Sequence, residues 1–324
     1  MRREGSPWRG MGVVFLKELS DHLTSVRMRV LEWLVVLTGI VAVYLAIQQI
    51  REVTAEDPFL FLRLFTRASN QVPLSFVSLL SFLVPLIAIG LGFDLINGEH
   101  NRRTLSRILA QPIYRDALLL GKFLGGLATI AISLVALWLL IIGLGLLLLG
   151  VPPSGEEVAR AAIMLAVTIA YAGVWLALAL LFSIVFRSPA TAALVTLGLW
   201  LFFTILWPAL SPAVAGMFVS GQATSASELL GQLALQQAFA RVSPGTLYVE
   251  IVATVLDPSV RSSQQSLLAS MGLVLLERGS IPGAPLPLLE SVLIVWGQIV
   301  GLIAGTILLF VAGYVVFQRQ EVRA

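Results

Sequence analysis

The feature that most constrains this chain is a succession of uninterrupted apolar runs. Six of them, at about residues 31–50, 73–96, 123–150, 161–186, 189–208 and 291–317, reach the ~20 residues that a helix needs to cross a bilayer. Each is apolar on every side, and hydrocarbon offers no water to backbone groups, so each must satisfy its own N–H and C=O groups as a helix. Composition supports this: 58% of the 324 residues are hydrophobic and 12% charged, about half the ~25% of an average soluble domain. The expectation is an all-α polytopic membrane protein with six transmembrane helices. Pro85 lies inside the second run, Val151-Pro152-Pro153-Ser154-Gly155 breaks the third from the fourth, and Pro189 opens the fifth after a tight turn at Arg187-Ser188.

Absences exclude several chemistries. With no Cys there is no disulfide framework, thiolate metal site or cysteine nucleophile. The two His, His22 and His100, lie far apart in sequence, so no metal site is expected. Gly121-Lys122 is followed by Phe123, and no P-loop pattern occurs elsewhere. Ser78 and Ser81 on the second run have no His or acid near them in sequence, so no catalytic residue is expected and a membrane-embedded hydrolase or lipid transferase is disfavoured. Glu32, Asp94 and Glu290 sit near run ends, and Gln298 is the one strongly polar deep residue. An ion-coupled carrier is therefore disfavoured too.

Charge sets orientation. The net charge of +3 does not signal nucleic acid here, because the basic residues border the apolar runs. Six spans put both termini on one side, together with the 97–122 and 187–189 loops. That side carries 14 of the 21 Lys and Arg, which places it in the cytoplasm. Before the first run, Phe15, Leu19, Leu23, Val26 and Val30 recur at helical spacing, with Lys17, Ser20, Asp21, Thr24 and Arg27 filling the other face. An amphipathic elbow helix in the interface, within residues 1–30, is expected, against which a cytoplasmic partner can rest.

The loop at 97–116 is the most telling stretch. Asn97-Gly98 is a helix-stop composition that would end the second span. From Asn101 a short helix is expected, with Leu105, Ile108 and Leu109 on one face and Arg103 with Arg107 on another. Pro112 stops it, and Asp116 is expected to cap the helix that leads into the third span. A short basic helix held between two spans is suited to passing force into the membrane. Contacts of Arg102, Arg103, Arg107 and Arg115 with anionic lipid are the plainer alternative.

Phe93-Asp94, Glu99, Thr104-Leu105, Leu109, Pro112, Arg115 and then Leu119-Leu120-Gly121-Lys122 resemble the pattern of ABC-2-type permease subunits, six-span membrane halves of ATP-binding-cassette transporters. Val242-Ser243-Pro244-Gly245-Thr246-Leu247-Tyr248, with Glu250 and Leu256-Asp257-Pro258, is similar to the branch holding the nitrous oxide reductase maturation and gliding-type permeases. The resemblance implies that the loop is a coupling helix docking on a separate ATPase subunit through Glu99, Arg102, Arg103, Thr104, Leu105, Arg107, Ile108, Leu109, Pro112 and Arg115. It implies that the N-terminal helix, with Phe15, Lys17, Leu19, Leu23 and Arg27, is the family's connecting helix. It further implies a prokaryotic cell membrane, a second permease copy (the same chain or a paralogue), and no cofactor in this chain, ATP and Mg being held by the ATPase. One departure is that a Gly commonly precedes the Thr-Leu pair, where this chain has Arg103.

The resulting layout is 1–30 connecting helix, 31–210 spans one to five with the coupling loop at 97–116, 211–288 an external helical region, 289–317 the sixth span and 318–324 a cytoplasmic tail. In the external region, Leu229-Leu230-Leu233, Leu247-Ile251-Val255 and Leu267-Met271-Val274 predict three helical stretches that pack as a cap or lie on the outer leaflet, with Phe59, Phe61, Leu62, Leu64 and Phe65 of the smaller external loop a packing partner for the cap. Gly297, Gly301 and Gly305 form a small-residue stripe suited to close helix packing. The function these features imply is export of an amphipathic or apolar substrate, driven by the partner ATPase. A second reading stays open: a mechanotransmitting permease whose external region acts on an extracytoplasmic protein.

Overall fold

The computed structural model describes residues 10–52, 59–66, 75–104, 113–150, 152–218, 226–258 and 285–320. Among these residues the regular structure is helical throughout, and six helices are long and apolar enough to cross a membrane. In chain order the helices are α1 (Met11–Thr24), α2 (Val26–Glu52), α3 (Arg63–Thr66), α4 (Phe76–Gly92), α5 (Asn97–Asn101), α6 (Arg115–Leu149) and α7 (Gly155–Val185). Then follow α8 (Pro189–Leu201), a π-helical segment (Phe202–Leu206) and α9 (Trp207–Gly216), which together make the fifth span. α10 (Ala226–Ala240), α11 (Pro244–Leu256), α12 (Leu288–Ile294) and α13 (Trp296–Arg319) complete the chain.

Local chemistry sets the ends. Ser154 and Glu157 form a capping box that starts α7, each side chain bonding the other's backbone N–H. Ser188 caps α8 with Pro189 in its first turn, where the missing N–H is no loss. Gly150 closes α6 in the left-handed conformation. At the other end of that helix the sequence misleads: Tyr114 is the N-cap, and Asp116 lies in the first turn, where it accepts a hydrogen bond from Gln318 Nε2 instead of capping.

α7 is the hub. It packs against α4, α6, α8, α11 and α13 and is the most deeply buried of the six spans, whereas the fifth and sixth are the most exposed. Glycines set the closest approaches: a Cβ at Gly92 would lie 2.6 Å from that of Ala179, and one at Gly121 2.9 Å from Val14 Cγ1. The stripe read in the sequence is used less. Among the described residues nothing lies within 4 Å of a Cβ built at Gly297 or Gly305, and Gly301 meets Leu247 at 3.4 Å. α13 turns Leu302, Gly313 and Phe317 inward instead and leaves Trp296, Ile307 and Leu308 exposed.

Three boundaries differ from the sequence reading. The amphipathic pattern through Val30 is not one helix: α1 ends at Thr24, and Val26 and Val30 lie exposed on α2. Ser25 causes the break, since its hydroxyl donates to His22 O at 2.8 Å and accepts from Met28 N at 3.1 Å, closing one helix and capping the next. The fifth-span helix runs to Gly216, beyond the expected limit at 210, and the sixth is interrupted at Val295. The region between the fifth and sixth spans is not a layer lying wholly outside the bundle. α10 and α11 meet at a bend of 115°, and α11 is inserted against α4, α7 and α13 with Tyr248, Ile251, Val252 and Val255 fully buried. The reason is that α11 is apolar on most of its circumference rather than along one stripe. Phe61, Leu62, Leu64 and Phe65 are buried mainly on the spans, with α3 against α2 and α4 and with Gly145 approaching Phe61 and Leu64. The stretch from Leu267 to Val274 lies outside the described residues.

Candidate functional site

One end of the bundle gathers both ends of the described chain: Ile113 packs on Gly10, and Arg115 Nη1 donates to Gln320 O at 3.1 Å. Here the sequence places a lysine one residue after a glycine inside an apolar run. Gly121 and Gly125 occupy one face of α6 and let α1 come so close that their missing side chains face Val14 and Glu18. Lys122 is thereby carried into the interior, 2% exposed. Its Nζ donates to Glu18 Oε1 of α1 at 2.8 Å and to Glu99 Oε1 of α5 at 2.7 Å. One ammonium thus ties three elements: the N-terminal helix, the turn after the second span and the root of the third.

The charge is closely balanced. Lys17, half-exposed, adds a second cation on Glu18 at 2.9 Å and reaches Asp21 at 3.0 Å. Burial pushes the Glu18 carboxyl up, but Lys122 and Lys17 more than reverse this and hold it below the usual carboxylate range. Burial pushes the Lys17 ammonium down, and its bonds to Glu18 and Asp21 prevail and raise it. For His22, burial prevails over the attraction of Glu18, so its imidazole is held below the ordinary value. Glu99 Oε2 and His22 Nε2 are buried without a hydrogen-bond partner among the described residues.

A second connection runs beside this one. Arg27, in the first turn of α2, grips Asp94 with both nitrogens at 2.8 and 3.0 Å, donates to Gly90 O, and stacks over the Phe93 ring at 4.9 Å. The turn carrying Asp94 is pinned to α7, because Ser183 Oγ accepts from Ile96 N and Asn97 N and Asn97 Nδ2 donates to Phe186 O. Asn97-Gly98 accordingly does not end the span. α4 has ended at Gly92, and Asn97 opens the separate helix α5.

α5 closes with Thr104 N donating to Glu99 O and Arg103 N to His100 O, a Schellman pattern with Arg103 at the left-handed position, φ 56°. That is where the resemblance expects Gly. Arg103 is the one non-glycine residue with positive φ among those described.

The residues anticipated from the sequence divide accordingly. Glu99 is mostly buried and bonded to Lys122, and Arg27 belongs to α2. Arg115 caps the end of α13 through the carbonyls of Phe317, Gln318 and Gln320. Arg102 and Arg103 are exposed beside the turn, Thr104 bonds Glu99 O, and Phe15, Leu19 and Leu23 are half-buried on α1. Leu105, Arg107, Ile108, Leu109 and Pro112 lie outside the described residues. Glu18 and Lys122 were passed over as site residues, although a Lys in the first apolar turns of a span is itself a signal. Among the described residues no cluster of His, Asp and Glu could hold a metal ion.

The model of the ABC-2 family transporter protein matches residues 13–322. A protein of Pseudomonas aeruginosa described as "Probable ABC transporter permease protein NosY" is 39% identical over 140 residues, 41% of this chain and 48% of the relative. One of Stutzerimonas stutzeri with the same description is 34% identical over 134 residues, with the same shares covered. The aligned part of the chain spans about half the length of these curated relatives.

Proposed function

Because the chain belongs to the ABC-2 family of transporter proteins, we propose that it is the membrane-spanning permease subunit of an ATP-driven transporter, energised by a separate ATPase at the end where α1, α5 and the root of α6 meet. ATP and Mg are held by that partner, and a second permease copy completes the path. In this reading the terminal end faces the cytoplasm of a prokaryotic cell, in agreement with its excess of Lys and Arg. The observation that carries the proposal is the Lys122 bridge to Glu18 and Glu99. A load on the 97–115 loop reaches Glu99, and through one buried ammonium it reaches both the N-terminal helix and the third span.

Two arrangements of α1 and α5 around Lys122, each favoured by a different state of the ATPase, are what such a joint requires. Exposed Arg102 and Arg103 supply the outer contact with the partner. The substrate is amphipathic or apolar, in keeping with the scarcity of charge within the spans, and the direction proposed is outward. The test is co-purification with ATPases from the source membrane. Charge reversal Arg102→Glu with Arg103→Glu is expected to abolish capture and the stimulated ATPase rate. Unchanged capture by the reversed chain would remove the docking assignment.

A further inference from the structure

We propose that the cavity at the bend between α10 and α11 binds an uncharged amphiphile through a hydroxyl head. The cavity is about 310 Å³, at the small end of the ~300–1,000 Å³ range for ligand sites. It lies among the second, fourth and fifth spans and the inserted α11, away from the Lys122 junction. Its origin is the π-helical segment. The wider turn leaves Phe203 O to accept from Ser243 Oγ at 3.1 Å, and Trp207 Nε1 donates to Phe239 O, so the bend of the hairpin is held against the bulge.

The walls are apolar, with six polar residues among them, and these are of two kinds. Tyr171 donates to Ser81 O and Ser243 to Phe203 O, so those hydroxyls are engaged. Thr204 on the π-helical segment and Thr246 in the first turn of α11 line the cavity with hydroxyls that make no hydrogen bond among the described residues. Glu250 also lines it, 6% exposed. Its Oε2 accepts from Arg241 Nε at 2.9 Å and Gln298 Nε2 at 3.1 Å, while its Oε1 accepts from no group among the described residues. A buried carboxylate oxygen without a donor is costly unless something supplies one.

The charge decides which ligand supplies it. Glu250 is already balanced by Arg241, so a bound ammonium would leave a buried surplus of positive charge and a carboxylate a surplus of negative charge. A hydroxyl adds no charge, donates to Glu250 Oε1, and can accept from Thr246 or Thr204. The apolar walls, Phe203 among them, suit the aliphatic body.

The experiment uses the full chain in lipid nanodiscs and a diazirine-bearing decanol analogue, with crosslinks mapped by mass spectrometry. It needs no ATPase, so its failure and that of the transport reading are distinguishable. Labelling is expected on residues 203–208 and 246–253. Excess 1-decanol should suppress it, and decylamine and decanoate should compete weakly. Thr246→Trp, filling the cavity, should abolish it. The isosteric Thr246→Val should weaken competition about fivefold, and Glu250→Gln about tenfold, the loss of one hydrogen bond to a neutral and to a charged group respectively. Labelling that persists in Thr246→Trp, or competition led by the amine or the carboxylate, would overturn the assignment.

Discussion

The two ends of the bundle both bury a basic side chain, and they do so differently. At the far end Arg160 of α7 is 0% exposed and every bond direction is used: Glu156, the carbonyls of Val255 and Leu286, and Ser291 Oγ, with the Phe59 ring beside it. Glu157 of the same turn is equally engaged, accepting from Phe61 N and Ser154 N. At the terminal end Lys122 bridges two carboxylates on two other elements and leaves Glu99 Oε2 without a donor among the described residues. The first set is a lock, holding α11 and α12 to the hub. The second holds three elements in register with one carboxylate oxygen left open, which is what the proposed joint needs. A buried charge with all its partners gives rigidity, whereas one with open valences can exchange partners.

The largest expected effect breaks the lock. Arg160→Met strands the Val255 and Leu286 carbonyls and is expected to destabilise by about 4 kcal/mol, read as loss of the folded fraction in a denaturation series of the purified chain. Lys122→Met should cost less, about 2 kcal/mol, because Lys17 still faces Glu18 and no backbone carbonyl is stranded. The same series reads it. If Lys122→Met proved the more damaging, the assignment of lock and joint would be reversed.

Arg103→Gly sharpens the joint by relieving a left-handed backbone that disfavours a side chain. A gain of about 1 kcal/mol is expected, with Arg103→Val losing at least as much. The smallest effect is with pH. His22 is held below 6.5, so the stability it contributes is fully present above that value and falls as pH drops below it, since the undocked helix takes up the proton first. Glu18, held below 4.5, loses its share only at much lower pH, as its folded value is crossed. Amide exchange over residues 11–24 should therefore quicken between pH 7 and 5.5, after correction for intrinsic rates, and His22→Gln should flatten the change.

Much of this was legible in the sequence. The six spans follow from apolar runs too long for anything but helices, and Glu99 and Gly121-Lys122, which the structure brings together, already stand out in the sequence. The family likeness singled out Arg103 as a departure from a common Gly, and the structure gives that residue a left-handed backbone. Pairing was not legible. Glu18 and Lys122 are 104 positions apart, and nothing local says that Gly121 and Gly125 admit α1 along that face. Ser25 reads as one more polar residue on an amphipathic helix, and only its two hydrogen bonds make it a break. α11 looked like a surface helix because periodicity cannot tell a stripe facing a cap from a helix buried among spans. Nothing local in the sequence marks Arg160, although all five of its N–H directions are engaged.

The claim that Lys122 transmits force is tested most directly by separating stability from coupling. In the triple variant Glu18→Leu, Glu99→Leu, Lys122→Met, an apolar cluster replaces the buried ions, and such replacements are neutral or stabilising when the volume is kept. The measurement is the permease-stimulated ATPase rate of the partner in reconstituted vesicles, with partner binding and melting followed in parallel. The account predicts unchanged binding, stability within about 1 kcal/mol of the parent, and stimulation reduced at least about tenfold. Full stimulation in a stable, partner-bound triple variant would contradict it.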